Sequence, residues 1–345
     1  MIFETPDAAI YPIGKLPQAV LIELLAQTTG CSDPRVILGP GLGRDAAVID
    51  FGDRYLVAKS DPITFATDEI GWYAVNVNAN DIACLGAKPR WFIATLLLPE
   101  GKTDRALVER IAAQLHAGCR EIGVALVGGH TEITHKLNRP IVVGAMFGEV
   151  SPEQLVRSDG ARPGDALLLT KGIAVEGTAI LAREVADRLK DVFAAEILER
   201  AARFLHDPGI SVVRDAAVVA AAGEVHAMHD PTEGGVATGI HELTEAAGVG
   251  AIVNATALPV YPETLAFCDI LGLDPLGVIA SGSLLAAVAA EDAQAVVHAL
   301  RTAGIPATVI GSIRAQPGVV LQGESGAHPL PTFARDEIAR LFETP

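Results

Sequence analysis

Apolar residues recur along this chain at two spacings, and the switches between them mark its elements. Residues 18–29 are apolar at helical spacing and close on Gly30, which predicts a short opening helix. Residues 46–51 and 55–59 are β-rich runs split by Gly52-Asp53, which predicts a hairpin behind the loop Gly39-Pro40-Gly41-Leu42-Gly43. Helical periodicity returns over 71–85 and 103–122, ending at Gly86 and Gly123, with a buried strand at 91–98 between them. Strands at 124–127 and 141–150 complete a first α/β unit. The second half repeats the alternation, with strands at 166–170, 251–254, 283–288 and 308–313. Its helices are expected at 178–193, 195–205, after Gly235 and at 291–303, and a looser tail ends in an amphipathic turn at 333–342. No internal repeat is visible.

Between 151 and 163 proline, glycine and charge replace the apolar periodicity, so the chain divides into residues 1–153 and 154–345, a two-domain α/β (α+β) protein. A length of 345 residues fits two ordinary cores better than one. Hydrophobic residues at 50% and charged residues at 20% describe a globular chain. The longest apolar runs, such as 91–98, fall far short of the ~20 residues needed to cross a bilayer. Residues 1–11 carry Glu4 and Asp7 and no basic residue, so no secretion signal is expected and the cytoplasm is the expected location. A net charge of −16 argues against nucleic acid and against an anionic membrane surface, yet is compatible with a nucleotide bound through metal ions. The four cysteines lie far apart, so neither a disulfide nor a zinc site is expected, and Cys84 and Cys119 read as small core residues.

The run Gly39 to Gly43 has the glycine spacing of a dinucleotide loop, but that fingerprint needs a strand before it and a helix after it, and here a strand follows. Asp45 at its end is the sharper feature. Asp45, Asp61, Asp68 and Asp81 stand beside glycines or at strand and helix edges, where carboxylates suit magnesium and where aspartate also serves as an ordinary turn or cap residue. Asn76, Asn78, Asn80 and Asp81 interrupt an otherwise apolar helix, which points to a functional face, with Asn80 and Asp81 as its members. Gly128-Gly129-His130-Thr131-Glu132 follows an apolar strand, so its polar groups are expected to project from a strand end. His130 is open between a ligand role and that of a hydrogen-bonded structural histidine. Asp230-Pro231-Thr232-Glu233-Gly234-Gly235 precedes a helix whose first N–H groups, with Thr232, would hold an anion or simply be capped.

Together GPGLGRDAAVID, NDIACLGAKP, GGHTEIT, GARPGDALLLTK, EGTAILA and HAMHDPTEGGVATGIHEL resemble, in order and spacing, the aminoimidazole ribonucleotide synthetase superfamily over nearly the whole chain. TKGIAVEGTAIL, HAMHDPTEGGVAT and LGLDPLGVIASG look most like its hydrogenase maturation branch. The resemblance implies a first α/β domain that forms a homodimer through its sheet, a second α/β domain, and ATP with Mg2+ in the cleft between them. It implies that Asp45, Asp61 and Asp81 hold the metal and triphosphate, and that Gly128, Gly129, Thr131 and Glu132 line the nucleotide pocket. Asp230 would lie towards the substrate, with Lys15 and Lys59 as phosphate contacts, and Asp230, Lys59 and His130 are the residues expected to carry catalysis. The shared chemistry of such families is phosphoryl transfer from ATP to a small-molecule acceptor. A thiamine monophosphate kinase-like enzyme and a non-catalytic nucleotide-binding partner in metallocentre maturation are the alternatives. Glu233 falls where the maturation branch places an arginine, and that branch's C-terminal carrier cysteine has no counterpart, the last cysteine being Cys268.

Overall fold

The computed structural model describes residues 16, 18–27, 32–41, 44–64, 68–324 and 326–342. The expectations placed on Lys15, Gly30, Cys31 and the Gly43 end of the glycine loop lie outside the described residues. The first half forms α1 (Gln18–Gln27), β1 (Val36–Leu38), β2 (Ala47–Asp50), β3 (Tyr55–Ile63), α2 (Ile70–Cys84), β4 (Lys88–Pro99), α3 (Arg105–Ile122), β5 (Ala125–Thr134) and β6 (Ile141–Val150). The second half forms β7 (Ala166–Thr170), α4 (Val175–Glu184), α5 (Ala186–Leu189), α6 (Ala195–Ala202), α7 (Val213–Ala222), β8 (Val225–His229), α8 (Gly235–Ala247) and β9 (Gly250–Asn254). It continues through α9 (Pro262–Leu271), β10 (Leu285–Val288), α10 (Ala293–Thr302), β11 (Ala307–Arg314), β12 (Gly318–Gly323) and β13 (Gly326–Pro329) to a 3-10 turn at Glu337–Leu341.

Two sheets result, a six-stranded one in the order β1-β2-β3-β6-β4-β5 and a seven-stranded one in the order β13-β12-β9-β11-β7-β10-β8, both among the described residues. Despite the alternation of strands and helices, only β4 with β5 and β9 with β12 pair in parallel there. The helix expected over 178–193 breaks at Val185, whose φ of −119° leaves the helical range. The break keeps Leu181, Val185 and Leu189 together in the core around Phe267. The tail read as loose contains β12 and β13, a hairpin whose glycines at 318, 323 and 326 hide the strand alternation. No helix is long and apolar enough to cross a membrane among the described residues.

The helix α2 joins the two halves. One side packs through Ala74, Val75, Ala79 and Ile82 into the core of the first sheet. Its end reaches the second sheet, where Ala83 and Cys84 meet Val156, Leu168, Met228 and Leu284. Its start carries Trp72 and Tyr73 into a cluster with Val175, Ala179 and Phe204. A helix enclosed on every side has no water to satisfy polar groups, so the three asparagines within it need partners in the protein.

Candidate functional site

The geometry begins where α2 crosses β6. Gly144 gives the helix room, because a Cβ there would collide with the Asn78 amide, and Gly148 does the same for Ile82. The close approach brings Asp81 down onto β3, where the two-residue repeat of a strand puts Val57, Lys59 and Asp61 on one face. Lys59 Nζ lies 3.1 Å from Asp81 Oδ1 and 3.2 Å from Asp61 Oδ2. Asn78, one turn before Asp81, holds the Asp61 backbone from both sides, its Oδ1 accepting from Asp61 N at 2.8 Å and its Nδ2 donating to Asp61 O at 3.2 Å.

Asn80 points the other way. Its Nδ2 donates to Ile210 O at 2.9 Å and its Oδ1 accepts from Val212 N at 2.8 Å, so the side chain grips the segment leading into α7. The amide paired with Asp81 in the sequence reading is thus engaged between the two halves of the molecule, and Asn78 is the asparagine that meets Asp61. Asn76 donates to Trp72 O within its own helix.

The second half contributes the end of β8 and the residue after it. His229 Nδ1 is 2.9 Å from Asp45 Oδ1, and its Nε2 is 3.0 Å from Glu242 Oε2 on α8. Cys84 donates its thiol to Asp230 Oδ1 at 3.5 Å. Ligand atoms of Asp45, His229 and Asp230 lie within 4.8 Å of one another, and all three residues are buried. Asp45 Oδ2 and Asp230 Oδ2 are shielded from solvent without a hydrogen-bond partner. His229 and Glu242 carried no assignment in the sequence reading. A histidine ending an apolar strand reads as core, and a glutamate on a helix reads as solvated surface. The one local signal is the position of His229 immediately before Asp230 in HAMHDPTEGG.

These groups feel one another. Burial alone would lower the Lys59 pKa, but Asp81, Asp61 and Asp45 outweigh it and hold the ammonium charged. Burial and the nearby Asp230, Asp61 and Asp45 push Asp81 well above the usual carboxylate range against the pull of Lys59. Burial, then Asp45, raises Asp230 to about 7, opposed by His229 and Lys59. Burial would make His229 neutral, yet Asp45 and Glu242 on its two nitrogens raise it well above an ordinary imidazole. The Cys84 thiol is pushed far up by burial and then by Asp230, which keeps it protonated, in line with its reading as a core residue without nucleophilic chemistry.

The glycine-histidine motif lies elsewhere on the sheet. The strand expected to end at 127 runs on to Thr134, so Gly128 to Glu132 are strand residues rather than groups projecting from a strand end. Gly129, at φ 156° and packed against Ala94 O, lets the strand continue where a side chain would clash. Asp61 pairs with Gly144, Gly144 with Ala94 and Ala94 with Gly129. Three strand spacings therefore separate Asp61 from Gly129, about 14 Å. Gly128, Gly129, His130 and Thr131 line a cavity of about 280 Å³ under α3. His130 is exposed, and its Nε2 lies 3.2 Å from Glu132 Oε2 within the same strand.

The start of α8, read as an anion site or a cap, receives an anion from the chain itself: Asp336 Oδ2 accepts from Gly234 N at 2.9 Å. Glu176, near the start of α4, is raised to about 8 by burial, then by Glu233, Asp336 and Asp230, and its Oε2 has no hydrogen-bond partner. Asp68 is exposed and bonded to Arg183, away from the other aspartates.

Comparison with known proteins agrees with this architecture. The N-terminal domain of AIR synthase related protein matches residues 43–150, and its C-terminal domain matches residues 162–324. The carbamoyl dehydratase HypE of Cupriavidus necator is 36% identical over 270 residues, covering 76% of this chain and 74% of that protein. The protein of the same name from Rhizobium leguminosarum bv. viciae is 36% identical over 276 residues, covering 78% and 74%. The crystal structure of hydrogenase maturation protein HypE in complex with ATP superposes with a TM-score of 0.69 at 29% identity, covering 86% of this chain and 90% of that one. The two matched domains span most of the chain, one on each sheet, and the chain belongs to the AIR synthase related protein family.

Proposed function

We propose that this protein is an enzyme that transfers a phosphoryl group from ATP, bound with magnesium, to a small-molecule acceptor such as an amide, thioamide or phosphate ester. The observation that carries the reading is Lys59, held between Asp61 and Asp81 beside the unpartnered oxygens of Asp45 and Asp230. A lysine so enclosed is not solvated surface. The four carboxyl groups of Asp45, Asp61, Asp81 and Asp230 gather around the two basic groups Lys59 and His229. Such a deficit of positive charge suits a cation, and buried carboxylate oxygens suit magnesium, a hard ion that binds through one or two carboxylates and nucleotide phosphates. Kinship with a HypE whose crystal structure contains ATP supports the choice of nucleotide.

In this reading Asp45, Asp61 and Asp81 hold the metal, which when bound neutralises charge on the phosphates. Lys59 stays charged and adds a second cation beside the transferred group. Asn78 fixes the backbone of Asp61, so the carboxylate meets its ligand without reorganising. Asp230 belongs to the acceptor side, and the 128–132 segment, across the sheet, falls to the nucleoside end of ATP. The domains are residues 1–153 and 154–345, and the enzyme works in the cytoplasm as a homodimer. Trp91, Ile93, Val127 and Ile133, exposed apolar side chains on neighbouring β4 and β5, support self-association through the first sheet. Kinship with hydrogenase maturation proteins supports a maturation-protein partner.

Calorimetric titration of ATP, with and without magnesium, into the protein and its Asp81→Asn variant tests the reading. Magnesium-dependent binding weakened at least tenfold in the variant is the expected result, followed by ADP release in an acceptor screen. Absence of ATP binding to the folded wild-type protein would sink it.

A further inference from the structure

We infer that Glu176, Ser281 and Asp230, with Asp336 and Glu233 at the mouth, recognise a cationic nitrogen group, an ammonium or a guanidinium, on the acceptor. The inference rests on the acceptor-side place given to Asp230 above and names the class of molecule which that side takes.

Three stretches of chain build the site. In the first turn of α4, Glu176 N donates to Ser281 O at 3.1 Å and Gly177 N donates to Ile279 O at 3.1 Å. Gly177 permits the contact, because a Cβ there would collide with Val278 Cγ1. Ala280 N donates in turn to Thr232 O at 3.3 Å, which ties the same stretch to the segment between β8 and α8. Asp336 is fixed against that segment, its carboxylate accepting from Gly234 N and Ile338 N at 2.9 Å each. Exposure falls inward. Glu233 is exposed and Asp336 half-buried, whereas Glu176, Asp230 and Ser281 retain 6%, 2% and 1%.

The buried end points to a ligand. Glu176 Oε2, Asp230 Oδ2 and Ser281 Oγ are each shielded from solvent without a hydrogen-bond partner. The Ser281 hydroxyl is near enough to Glu176 to oppose the upward push of burial on its pKa, yet the two complete no hydrogen bond. Buried acceptors are costly to leave unpaired, and a ligand rich in N–H groups removes the cost.

Charge and spacing set the class of that ligand. After burial itself, Glu233, Asp336 and Asp230 disfavour ionisation of Glu176, and a cation among them favours every carboxylate. A bare metal ion does not suit the spread, since among the described residues no three of these carboxyl groups bring oxygens within 4.8 Å of one another. An ammonium or a guanidinium carries several N–H donors and no acceptor, so it spans separated oxygens and adds none.

The test uses the full chain at pH 9, above the value of about 8 to which Glu176 is raised, and no nucleotide. Ligand-detected NMR compares n-butylammonium, butyramide and butyrate, three probes of similar shape and different charge. Butylammonium should bind about tenfold or more tightly than butyramide, and butyrate should not bind. Glu176→Gln keeps the shape and should weaken butylammonium about tenfold. Asp53→Asn, which removes an exposed carboxylate on the β2–β3 turn, should leave it unchanged. Circular dichroism establishes that each variant is folded. Failure of butylammonium to bind, equal binding of butyramide, displacement by an equal concentration of K+, or undiminished affinity in folded Glu176→Gln would overturn the proposal. Because nucleotide is absent, any of these leaves Mg2+-dependent ATP binding and its loss in Asp81→Asn as a separate result.

Discussion

The Asn78 side chain replaces a strand partner for Asp61: its Oδ1 accepts from Asp61 N at 2.8 Å and its Nδ2 donates to Asp61 O at 3.2 Å. The same Nδ2 donates to Ala74 O at 2.9 Å, one turn back in α2. A helix is thereby bonded to a strand backbone at the residue whose carboxylate meets Lys59. Positioning of the charged cluster and packing of the first sheet on its helix are one feature.

Asn78→Ala should therefore cost more than an ordinary surface change. The Asp61 N–H and C=O would face a cavity with no donor or acceptor, a loss of roughly 2 to 4 kcal/mol. Chemical denaturation measures it. ATP affinity should fall with it, because Asp61 would no longer be held at a fixed distance from Lys59. A variant as stable as the wild type would show that the amide is dispensable.

Gly144→Ala acts on the same clamp without touching a charged group. The new Cβ would overlap the Asn78 amide and crowd Phe92. Overpacking of this kind costs about 1 to 3 kcal/mol. The informative readout is the ratio of effects: ATP binding should fall several-fold at temperatures where the variant remains fully folded. Intact binding in a destabilised variant would separate the packing of α2 from the site.

How much of this was legible in the sequence follows from what each residue faces. Helical spacing located α2 to within a residue, because its boundary glycine and its apolar repeats are local signals. The meaning of its asparagines was not local. The polar run pointed to a functional face made by Asn80 and Asp81, whereas each asparagine serves a different backbone: Asn76 its own helix, Asn78 a strand and Asn80 a second-half segment far away in sequence. Asp45 and Asp230 stood out through the glycines beside them. His229 did not, because its partners Asp45 and Glu242 come from separate halves of the chain. The glycines at 128 and 129 suggested a strand end, yet long pairing with β4 carries β5 through them.

Asn80→Ala tests the link between the halves. Its amide makes two bonds, to Ile210 O and Val212 N, and no other residue of α2 bonds that segment through an amide. Unpairing these backbone groups should destabilise the protein by roughly 2 kcal/mol. Hydrogen exchange should quicken at Val212 and the start of α7 before it does in β3. Uniform acceleration across both sheets would mean that the bond holds no particular segment.

Lys59→Met removes the cation between Asp61 and Asp81 while keeping much of the stem's bulk. Breaking a buried pair on one side costs up to about 3 to 5 kcal/mol, less here because the Lys59 side chain retains 20% exposure. ATP affinity should drop at least tenfold and turnover further. Added Mg2+ should restore part of the lost stability by replacing the missing charge, which a thermal melt with and without the ion would detect. A variant that binds ATP as the wild type does would remove Lys59 from the phosphate site.

Glu176 gives a pH signature away from the charged cluster's metal ligands. Burial raises its pKa from 4.5 to about 8 in the folded protein. Folding therefore takes up a proton between those values. The favourable contribution is fully present below about 4.5 and is lost as pH rises through 8, because above that point a charged carboxylate must stay buried. Glu176→Gln mimics the protonated side chain at every pH. It should be nearly neutral at pH 5 and stabilising by on the order of 2 kcal/mol at pH 9. Urea denaturation of both proteins at the two pH values reads the difference directly. Parallel loss of stability with pH in wild type and variant would show that Glu176 is already ionised in the folded protein, and that its unpartnered oxygen is met by a donor from solvent.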